Sequence, residues 1–302
     1  MNLYDYKPAG SSFDLSLRET DGSGLHYRVT FPAAPSECYG SDSLARGEYI
    51  RPRNGGNGTL AILIHGWGDR SVVPCRLLAK DLVKRGTACF ILYMVFHSSR
   101  MPEAMKKKGH HLADEEWFEG YRLSVIDVRQ IVGWAAARDE INDTRIAVIG
   151  LSLGGFVSAI SMGVEKRIGA GVFLLTGGNY ENPVWAKKRH ENHNEAELRE
   201  TQDQYIRYLA RVEEKGFKKV VPAKKSYLTD PVSYGSYLQE RPVLMYNARW
   251  DIIVPREAAI DLWQACGEPE IRWFPTGHAS LWLLYPLIRN GITGFLKSAF
   301  RQ

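Results

Sequence analysis

The chain alternates short, almost uniformly apolar segments with longer segments that have helical periodicity. Residues 60–64 (LAILI), 88–96 (ACFILYMVF) and 145–149 (RIAVI) are too apolar for strands that face water on one side. Residues 117–137, between the last two, space their apolar side chains as a helix does. Buried strands joined by helices form a mostly parallel sheet that is covered on both faces, so the pattern predicts an α/β fold.

The same alternation continues to the end of the chain. Ser71 is expected to cap the first helix after residue 60, and Gly86 to end it. A turn-forming sequence, NGGNG at residues 54–58, precedes the first buried strand. In full, we predict strands over residues 25–31, 47–52, 60–64, 88–96, 145–149, 170–175, 243–246 and 271–274, and helices over residues 71–85, 117–137, 154–164, 195–214, 256–265 and 281–300.

Two segments depart from this pattern. Residues 1–46 are rich in Gly, Ser, Pro and Asp, and we interpret them as an N-terminal extension that packs on a core domain of residues 47–302. Residues 181–230 are polar and contain a single predicted helix. Because they interrupt the alternation, they are interpreted as an insertion on the sheet.

The composition is that of a folded globular protein, large enough for one α/β domain or two smaller ones. The 302 residues are 44% hydrophobic and 24% charged, which excludes disordered, collagenous and disulfide-scaffold chains. The first twenty residues lack the features of a secretory signal, and no apolar run reaches the ~18 residues that span a bilayer. We therefore expect a cytoplasmic protein without a membrane span. The four cysteines form no CxxC pair, which suggests neither a zinc site nor a redox motif.

The strongest chemical signal is the sequence GLSLGG at residues 150–155. The bare pattern G-x-S-x-G is common by chance, but here it directly follows the buried strand at 145–149 and opens a helix of small residues. A strand, a sharp turn with serine at its tip and a helix form a nucleophile elbow. Glycines leave room in the tight turn, so Ser152 is the predicted nucleophile.

A serine hydroxyl is a weak nucleophile unless a base takes its proton. Of the eight histidines, only His190, His193 and His278 follow Ser152, and the first two lie in the polar insertion, where solvated surface positions are expected. His278 comes just after the last predicted strand. Its ring should therefore project from the same edge of the sheet as Ser152, which makes it the predicted base.

The base needs a carboxylate that orients it and stabilises its charged form. Asp251 comes just after a predicted strand, so it too should lie at this edge. Asp230 precedes a proline and is expected to act as a turn or cap residue, while Asp261 lies inside a predicted helix. The order along the chain is Ser152, Asp251 and His278, which is the nucleophile, acid and base order of one known fold.

With these residues the chain resembles the α/β-hydrolase superfamily over roughly residues 47–300, and within it the dienelactone-hydrolase and acyl-esterase branch. The resemblance implies an α/β-hydrolase fold with a mostly parallel sheet flanked by helices and an inserted helical cap. It also implies a serine hydrolase that needs no cofactor and no metal. Such enzymes commonly use an H-G-x-G sequence in the oxyanion hole, and this chain has HGWG at residues 65–68. By this resemblance, the backbone N–H groups of Trp67 and Leu153 would hold the oxyanion.

The resemblance further implies residues of a substrate pocket. His65 and His97 are expected to help shape it, although packing is an equally good role for His97. The insertion would form a lid or cap, with Trp185, Tyr205 and Tyr208 in contact with the acyl chain. A peripheral helix is the alternative for this segment.

The leading functional hypothesis is hydrolysis of short to medium acyl esters through an acyl-enzyme on Ser152. The expected partner is thus a small-molecule ester. Thioester hydrolysis and acyl transfer would use the same three residues. The alternative from another class is an α/β-hydrolase-fold binding protein with little or no turnover. Serine at the elbow argues against dehalogenases and epoxide hydrolases, which by the same resemblance use aspartate there.

The net charge of +5 lies in two segments. Residues 100–112 carry a net charge of +3, and residues 181–230 carry +2. Because no nucleic-acid-binding module is recognised, we predict no nucleic-acid partner. We hypothesise instead a basic rim near the site that favours anionic esters, the alternative being solvated loops. The polar run at residues 106–115 has histidines and carboxylates, but their spacing fits no metal-ligand set.

Overall fold

The computed structural model describes residues 3–6, 12–20, 22, 24–40, 43–106, 111–189 and 194–301. Its strands are β1 (Asp14–Thr20), β2 (Leu25–Pro32), β3 (Leu44–Arg51), β4 (Leu60–Ile64), β5 (Ala88–Tyr93), β6 (Ile146–Leu151), β7 (Ile168–Leu174), β8 (Val243–Ala248) and β9 (Glu270–Phe274). Its α-helices are α1 (Val72–Val83), α2 (Asp114–Ala135), α3 (Leu153–Val164), α4 (Pro183–Arg189), α5 (Glu195–Lys215), α6 (Arg256–Ala265) and α7 (Tyr285–Ala299).

All nine strands form one sheet in the order β1-β2-β3-β5-β4-β6-β7-β8-β9. The six strands from β5 to β9 in this order pair in parallel, whereas β1, β2 and β3 pair antiparallel with their neighbours. Strands β4 and β6, at the centre, are buried along their whole length, as their apolar sequences predict. The predicted mostly parallel sheet with helices on both faces is confirmed.

The helices divide into two layers. Apolar side chains of α2 and α3 pack into a large cluster on one face of the sheet, and those of α1 and α7 pack into a second cluster on the other face. The sheet therefore has helices on both of its faces. Because parallel strands end at one common edge, the loops after β4, β5, β6, β8 and β9 meet there.

The N-terminal residues differ from the prediction in one respect. Residues 14–32 supply two strands of the sheet itself, so this part of the predicted extension continues the sheet through β3. Only β2 was expected. Most side chains of β1 are exposed at the sheet edge and polar, so its sequence, DLSLRET, carries little of the apolar pattern that identified the other strands.

The last predicted helix is divided in two. A 3₁₀ helix covers Ala279–Leu284 and α7 begins at Tyr285, with Pro286 in its first turn. Proline lacks the N–H that a continuous helix would use, but the first turn needs no such donor. The continuous apolar spacing of the sequence concealed this break.

The insertion folds as α4, α5 and two short 3₁₀ helices, Phe217–Lys219 and Lys225–Thr229. Helix α5 buries four side chains, Leu198, Tyr205, Tyr208 and Val212, and the last three pack into the cluster of the α2 and α3 layer. Asn194 caps α5 by accepting a hydrogen bond from the backbone N–H of Ala196 at 2.7 Å. Within the described part of the chain, every helix is too short or too polar to cross a bilayer.

Candidate active site

Ser152 lies at the tip of a sharp turn between β6 and α3. Its backbone has φ 50° and ψ −119°, a combination that side-chain-bearing residues rarely adopt. The turn is held because the Ser152 N–H donates to the carbonyl oxygen of Leu174 at 2.8 Å. Strain of this kind costs about 1–3 kcal/mol and persists only where the surrounding structure enforces it.

Three glycines around Ser152 have no room for a side chain. A Cβ at Gly150 would overlap the backbone carbonyl of Gly154, and one at Gly154 would overlap the carbonyl oxygen of Ile64. A Cβ at Gly155 would overlap the hydroxyl of Thr176. The turn therefore depends on close backbone approach at these positions, as expected from the sequence.

Two other loops bring His278 and Asp251 to Ser152. The Nε2 atom of His278 lies 2.9 Å from the Oγ of Ser152, and its Nδ1 lies 2.7 Å from an Oδ2 of Asp251. The other oxygen of Asp251 accepts hydrogen bonds from the backbone N–H groups of Ile253 and Val254, at 2.8 and 2.9 Å. The structure thus brings together the three residues selected from the sequence.

This arrangement fixes the tautomer of the imidazole. Only 4% of the Asp251 side chain is exposed, and its carboxylate can only accept hydrogen bonds when ionised. The proton of neutral His278 must then sit on Nδ1, which leaves the lone pair of Nε2 facing the Ser152 hydroxyl. The geometry is that of a base ready to remove the hydroxyl proton.

The loop that contains HGWG lies directly beside Ser152. A Cβ built on Gly66 would come within 3.3 Å of the Cβ of Ser152. Neither the N–H of Trp67 nor that of Leu153 is assigned an acceptor elsewhere in the described residues. Leu153 begins α3, where backbone donors have no partner within the helix. Both groups are thus available as hydrogen-bond donors next to the nucleophile.

His65 supports this loop from below and does not face a pocket. It is fully buried, its Nε2 accepts the backbone N–H of Met94 at 3.1 Å, and its Nδ1 lies 2.6 Å from the carbonyl oxygen of Gly66. Ser71 also braces the loop, because its hydroxyl bonds to the carbonyl oxygens of Gly66 and Gly68. Ser71 occupies the N-cap position of α1, as predicted, but its side chain makes no cap hydrogen bond because its hydroxyl bonds within this loop.

His97 lies further from Ser152 along the sheet edge than the HGWG loop does. Its ring stacks on Tyr93 with centroids 4.6 Å apart, and its Nδ1 accepts the backbone N–H of Ser99 at 3.2 Å. Strand β4 separates the strand that precedes His97 from the strand that precedes Ser152. These contacts are those of a packing role, the alternative that the sequence left open.

The three aromatic residues expected in the cap, Trp185, Tyr205 and Tyr208, have different surroundings. Trp185 packs on Phe156, one turn after Ser152 in α3, and on Val254 in the loop that holds Asp251. Tyr205 is fully buried against Tyr208 and Tyr227, and all three belong to the large cluster of the α2 and α3 layer. Trp185 is therefore the better candidate for a pocket residue.

Asp230 organises the loop after β7. Its two oxygens accept the backbone N–H groups of Asn179, Tyr180 and Val232 at 2.7 to 3.0 Å. By accepting the N–H of Val232, Asp230 caps a 3₁₀ helix, Pro231–Leu238, in agreement with its predicted role as a turn or cap residue. Its complete burial raises the pKa of Asp230 to about 6.

The hypothesis of a basic rim loses five of its fifteen basic groups, because these pair with carboxylates in the structure. Arg100 is buried and pairs with Asp127 at 2.7 Å, so it cannot face an approaching ester. Four further lysines of the two segments pair with carboxylates: Lys106 with Glu103, Lys187 with Glu195, Lys224 with Glu181 and Lys225 with Glu115. Lys107, Lys108, His110, His190 and His193 lie outside the described residues.

Within the described ranges, no group of three or more His, Cys, Asp or Glu side chains is placed to hold a metal ion. The cysteines are Cys38, Cys75, Cys89 and Cys266, none of them in a disulfide, and the last three are buried.

Three comparisons with known proteins bear on this arrangement. Residues 39–180 match the model of a family described as alpha/beta hydrolase domain containing 18. The uncharacterized protein Rv2627c of Mycobacterium tuberculosis (strain ATCC 25618 / H37Rv) is 23% identical over 203 residues, which are 67% of this chain and 42% of that protein. The chain thus spans about two fifths of the length of the curated relatives that it matches.

Solved structures resemble the whole chain. The acetyl xylan esterase from Paenibacillus sp. R4 has a TM-score of 0.68 at 19% identity, covering 98% of this chain and 90% of that one. Acetyl xylan esterase 1 from Thermoanaerobacterium sp. JW/SL YS485 has a TM-score of 0.63 at 14% identity, with coverages of 96% and 88%. A cold-adapted esterase from an Arctic intertidal metagenomic library has a TM-score of 0.60 at 15% identity, with coverages of 95% and 100%.

Proposed function

The chain has the α/β-hydrolase fold, and we propose that it is a serine hydrolase of carboxylic esters. The observation that carries this proposal is the continuous hydrogen-bonded series from Asp251 through His278 to Ser152. A carboxylate, an imidazole and a hydroxyl in this order activate the hydroxyl for attack on a carbonyl carbon.

In the first half of the reaction, the Oγ of Ser152 attacks the ester carbonyl while Nε2 of His278 takes the hydroxyl proton. Asp251 stabilises the imidazolium that forms. The N–H groups of Trp67 and Leu153 would donate to the oxyanion, and one such donor is worth about 10²- to 10³-fold in rate. His278 then gives its proton to the departing alkoxide, which leaves an acyl-enzyme on Ser152.

In the second half, water replaces the alkoxide. His278 takes a proton from the water as it attacks the acyl carbon, and returns this proton to Ser152 when the acid departs. Thioesters and acyl acceptors would follow the same course with a different leaving group or nucleophile.

The proposed substrates are esters of short to medium acyl groups. Two structural neighbours are acetyl xylan esterases by name, which supports ester cleavage and a modest acyl group. Residues 181–230 are proposed as a cap over the site, since Trp185 of α4 contacts Phe156 in α3. Trp67, with 53% of its surface exposed, is proposed to stand at the entrance.

The test is hydrolysis of ethyl esters from acetate to decanoate by wild type, Ser152→Ala and a matched control, Ser98→Ala. Ser98 is exposed in the loop after β5. We expect wild type and the control to hydrolyse at least one ester with multiple turnovers, and Ser152→Ala to lose about 10⁴-fold or more. One stoichiometric turnover followed by none would favour the binding-protein alternative, and equal loss in both variants would contradict the assignment of Ser152.

A further inference from the structure

Six aromatic side chains form a continuous series of contacts near Ser152, which we call the aromatic arc. They come from the HGWG loop, α2, α3, the loop after β7, and α4: Trp67, Trp117, Tyr121, Phe156, Tyr180 and Trp185.

The first half of the aromatic arc starts at the HGWG loop and runs along α2. The ring centroids of Trp67 and Trp117 are 5.1 Å apart, and those of Trp117 and Tyr121 are 6.5 Å apart. Phe96 is buried behind all three and contacts each of them, with centroids 5.0 to 6.2 Å away. This backing holds the rings in place while Trp67 keeps more than half of its surface exposed.

The second half joins α2 to the proposed cap. The hydroxyl oxygens of Tyr121 and Tyr180 are 3.3 Å apart, and the ring of Tyr180 stacks on Phe156 with centroids 6.1 Å apart. Trp185 lies 5.3 Å from Tyr180 and 5.9 Å from Phe156. Tyr180 is held from outside the arc, because Asp230 accepts its backbone N–H at 2.7 Å.

Both ends of the aromatic arc are attached to the triad segments. Trp67 follows Gly66, which lies against Ser152, and Phe156 lies one helical turn after Ser152 on α3. Trp185 and Phe156 belong to one buried cluster with Val254, whose N–H bonds to Asp251. The arc therefore borders the nucleophile.

The position of the first half of the aromatic arc relative to His278 indicates that it faces the acyl group of a bound ester. His278 comes from β9, on one side of β6, whereas Trp67 and the backing Phe96 come from β4 and β5, on the other side. The leaving alkoxide must lie next to His278, because that residue protonates it. The acyl group then points the opposite way, towards Trp67 and Trp117.

We propose that the first half of the aromatic arc, Trp67, Trp117 and Tyr121, binds the acyl group and that this group carries a flat aromatic ring, as in 3-phenylpropanoate esters. This inference rests on the proposed function. A subsite for an alkyl chain gains from buried area alone and is suited by Leu, Ile or Met. Rings at centroid spacings of 5 to 7 Å can add offset-stacked and edge-to-face contacts that only another aromatic ring completes.

The experiment compares two ethyl esters that differ only in the ring. Ethyl 3-phenylpropanoate and ethyl 3-cyclohexylpropanoate share the leaving group and the chain next to the carbonyl, so their intrinsic reactivities match. Cyclohexyl is the more apolar ring, so burial alone would favour it. We expect kcat/KM to be about tenfold higher for the phenyl ester, the size of effect that one or two good ring contacts give.

Substitutions in the aromatic arc test whether its rings cause the preference for the phenyl ester. Trp117→Leu should lower the phenyl-to-cyclohexyl ratio of kcat/KM to about one or below. Trp273→Leu is the matched control, since Trp273 lies on β9 beneath Arg256 and outside the aromatic arc, and it should leave the ratio unchanged. Tyr121→Leu repeats the test at a second ring should Trp117→Leu fail to fold.

The outcomes separate this inference from the proposed function. A wild-type ratio of one or less, with both esters cleaved through Ser152, would overturn the aromatic subsite and leave the esterase proposal intact. An unchanged ratio in both arc variants would also overturn it. Failure to cleave either ester or ethyl butyrate would contradict the proposed function itself.

Discussion

The Nε2 atom of His278 lies 2.9 Å from the Oγ of Ser152, although 126 residues separate them in the chain. Strands β7 and β8 lie between the strands that precede these two residues. The short segment after β9, residues 275–278, therefore carries His278 back across the sheet edge, and Asp251, just after β8, accepts a hydrogen bond from its imidazole.

Asp251 and Asp230 should respond differently to the same substitution. Asp251→Asn replaces the acceptor of the His278 Nδ1 proton by an amide and permits the wrong tautomer, so kcat should fall about 10⁴-fold. Asp230→Asn leaves the three residues in place and disturbs the loop around Tyr180 and the cap of the 3₁₀ helix Pro231–Leu238. Its kcat for the folded protein should fall less than about 100-fold. Steady-state kinetics measure kcat for both variants, and urea unfolding checks that each is folded. A larger loss of kcat in Asp230→Asn than in Asp251→Asn would identify Asp230 as the acid.

Strain at Ser152 predicts an unusual order of stability between two inactive variants. Glycine accepts φ 50° and ψ −119° at little cost, whereas alanine is strained there as serine is. Ser152→Gly should therefore be more stable than Ser152→Ala, by about 1 kcal/mol in the free energy of unfolding from urea titration. The opposite order would show that the elbow relaxes when the hydroxyl is removed.

Two glycine-to-alanine substitutions should change stability in opposite directions. A Cβ at Gly154 would overlap carbonyl oxygens of Ile64 and His65 in the centre of the sheet, so Gly154→Ala should cost about 2–3 kcal/mol. Gly294 lies inside α7 with no atom within 4 Å of its Cβ position, and Gly294→Ala should stabilise by up to about 1 kcal/mol. Thermal unfolding of both decides this, and a well-tolerated Gly154→Ala would contradict the close approach of α3 to β4.

The sequence predicts the catalytic edge well because local rules determine it. A buried strand before Ser152, a small-residue helix after it, and strands before Asp251 and His278 place all three groups at one edge. The sequence predicts less about residues whose surroundings depend on contacts between distant parts of the chain. The burial of His65 depends on Met94, 29 residues away, and the isolation of Tyr205 from the site depends on how α5 packs.

The aromatic arc shows the same limit. Tyr121 lies within residues 117–137, whose apolar spacing predicts a helix and nothing more. Its contact with Tyr180 joins residues 59 apart and depends on the loop that Asp230 holds. Neither local periodicity nor motif spacing contains that information.

The pH dependence of stability tests the burial of Asp230. Burial raises its pKa to about 6, above the value of 3.8 for an unperturbed carboxyl. A group whose pKa is raised by folding contributes stability at low pH, and this contribution is lost as the pH rises through the folded pKa. Relative to Asp230→Asn, wild type should therefore lose about 1 kcal/mol between pH 5 and pH 7.5. Parallel stability curves for the two proteins in urea titrations across this range would contradict the raised pKa.

Ser152 is proposed as the nucleophile of a serine hydrolase. Treatment with a fluorophosphonate followed by peptide mass mapping tests it most directly, because the reagent modifies only a serine that its own base activates. We predict a single adduct on Ser152 in the wild type, slowed by several orders of magnitude in His278→Ala. An unmodified wild type, or an adduct on any other serine, would rule out Ser152 as the activated nucleophile.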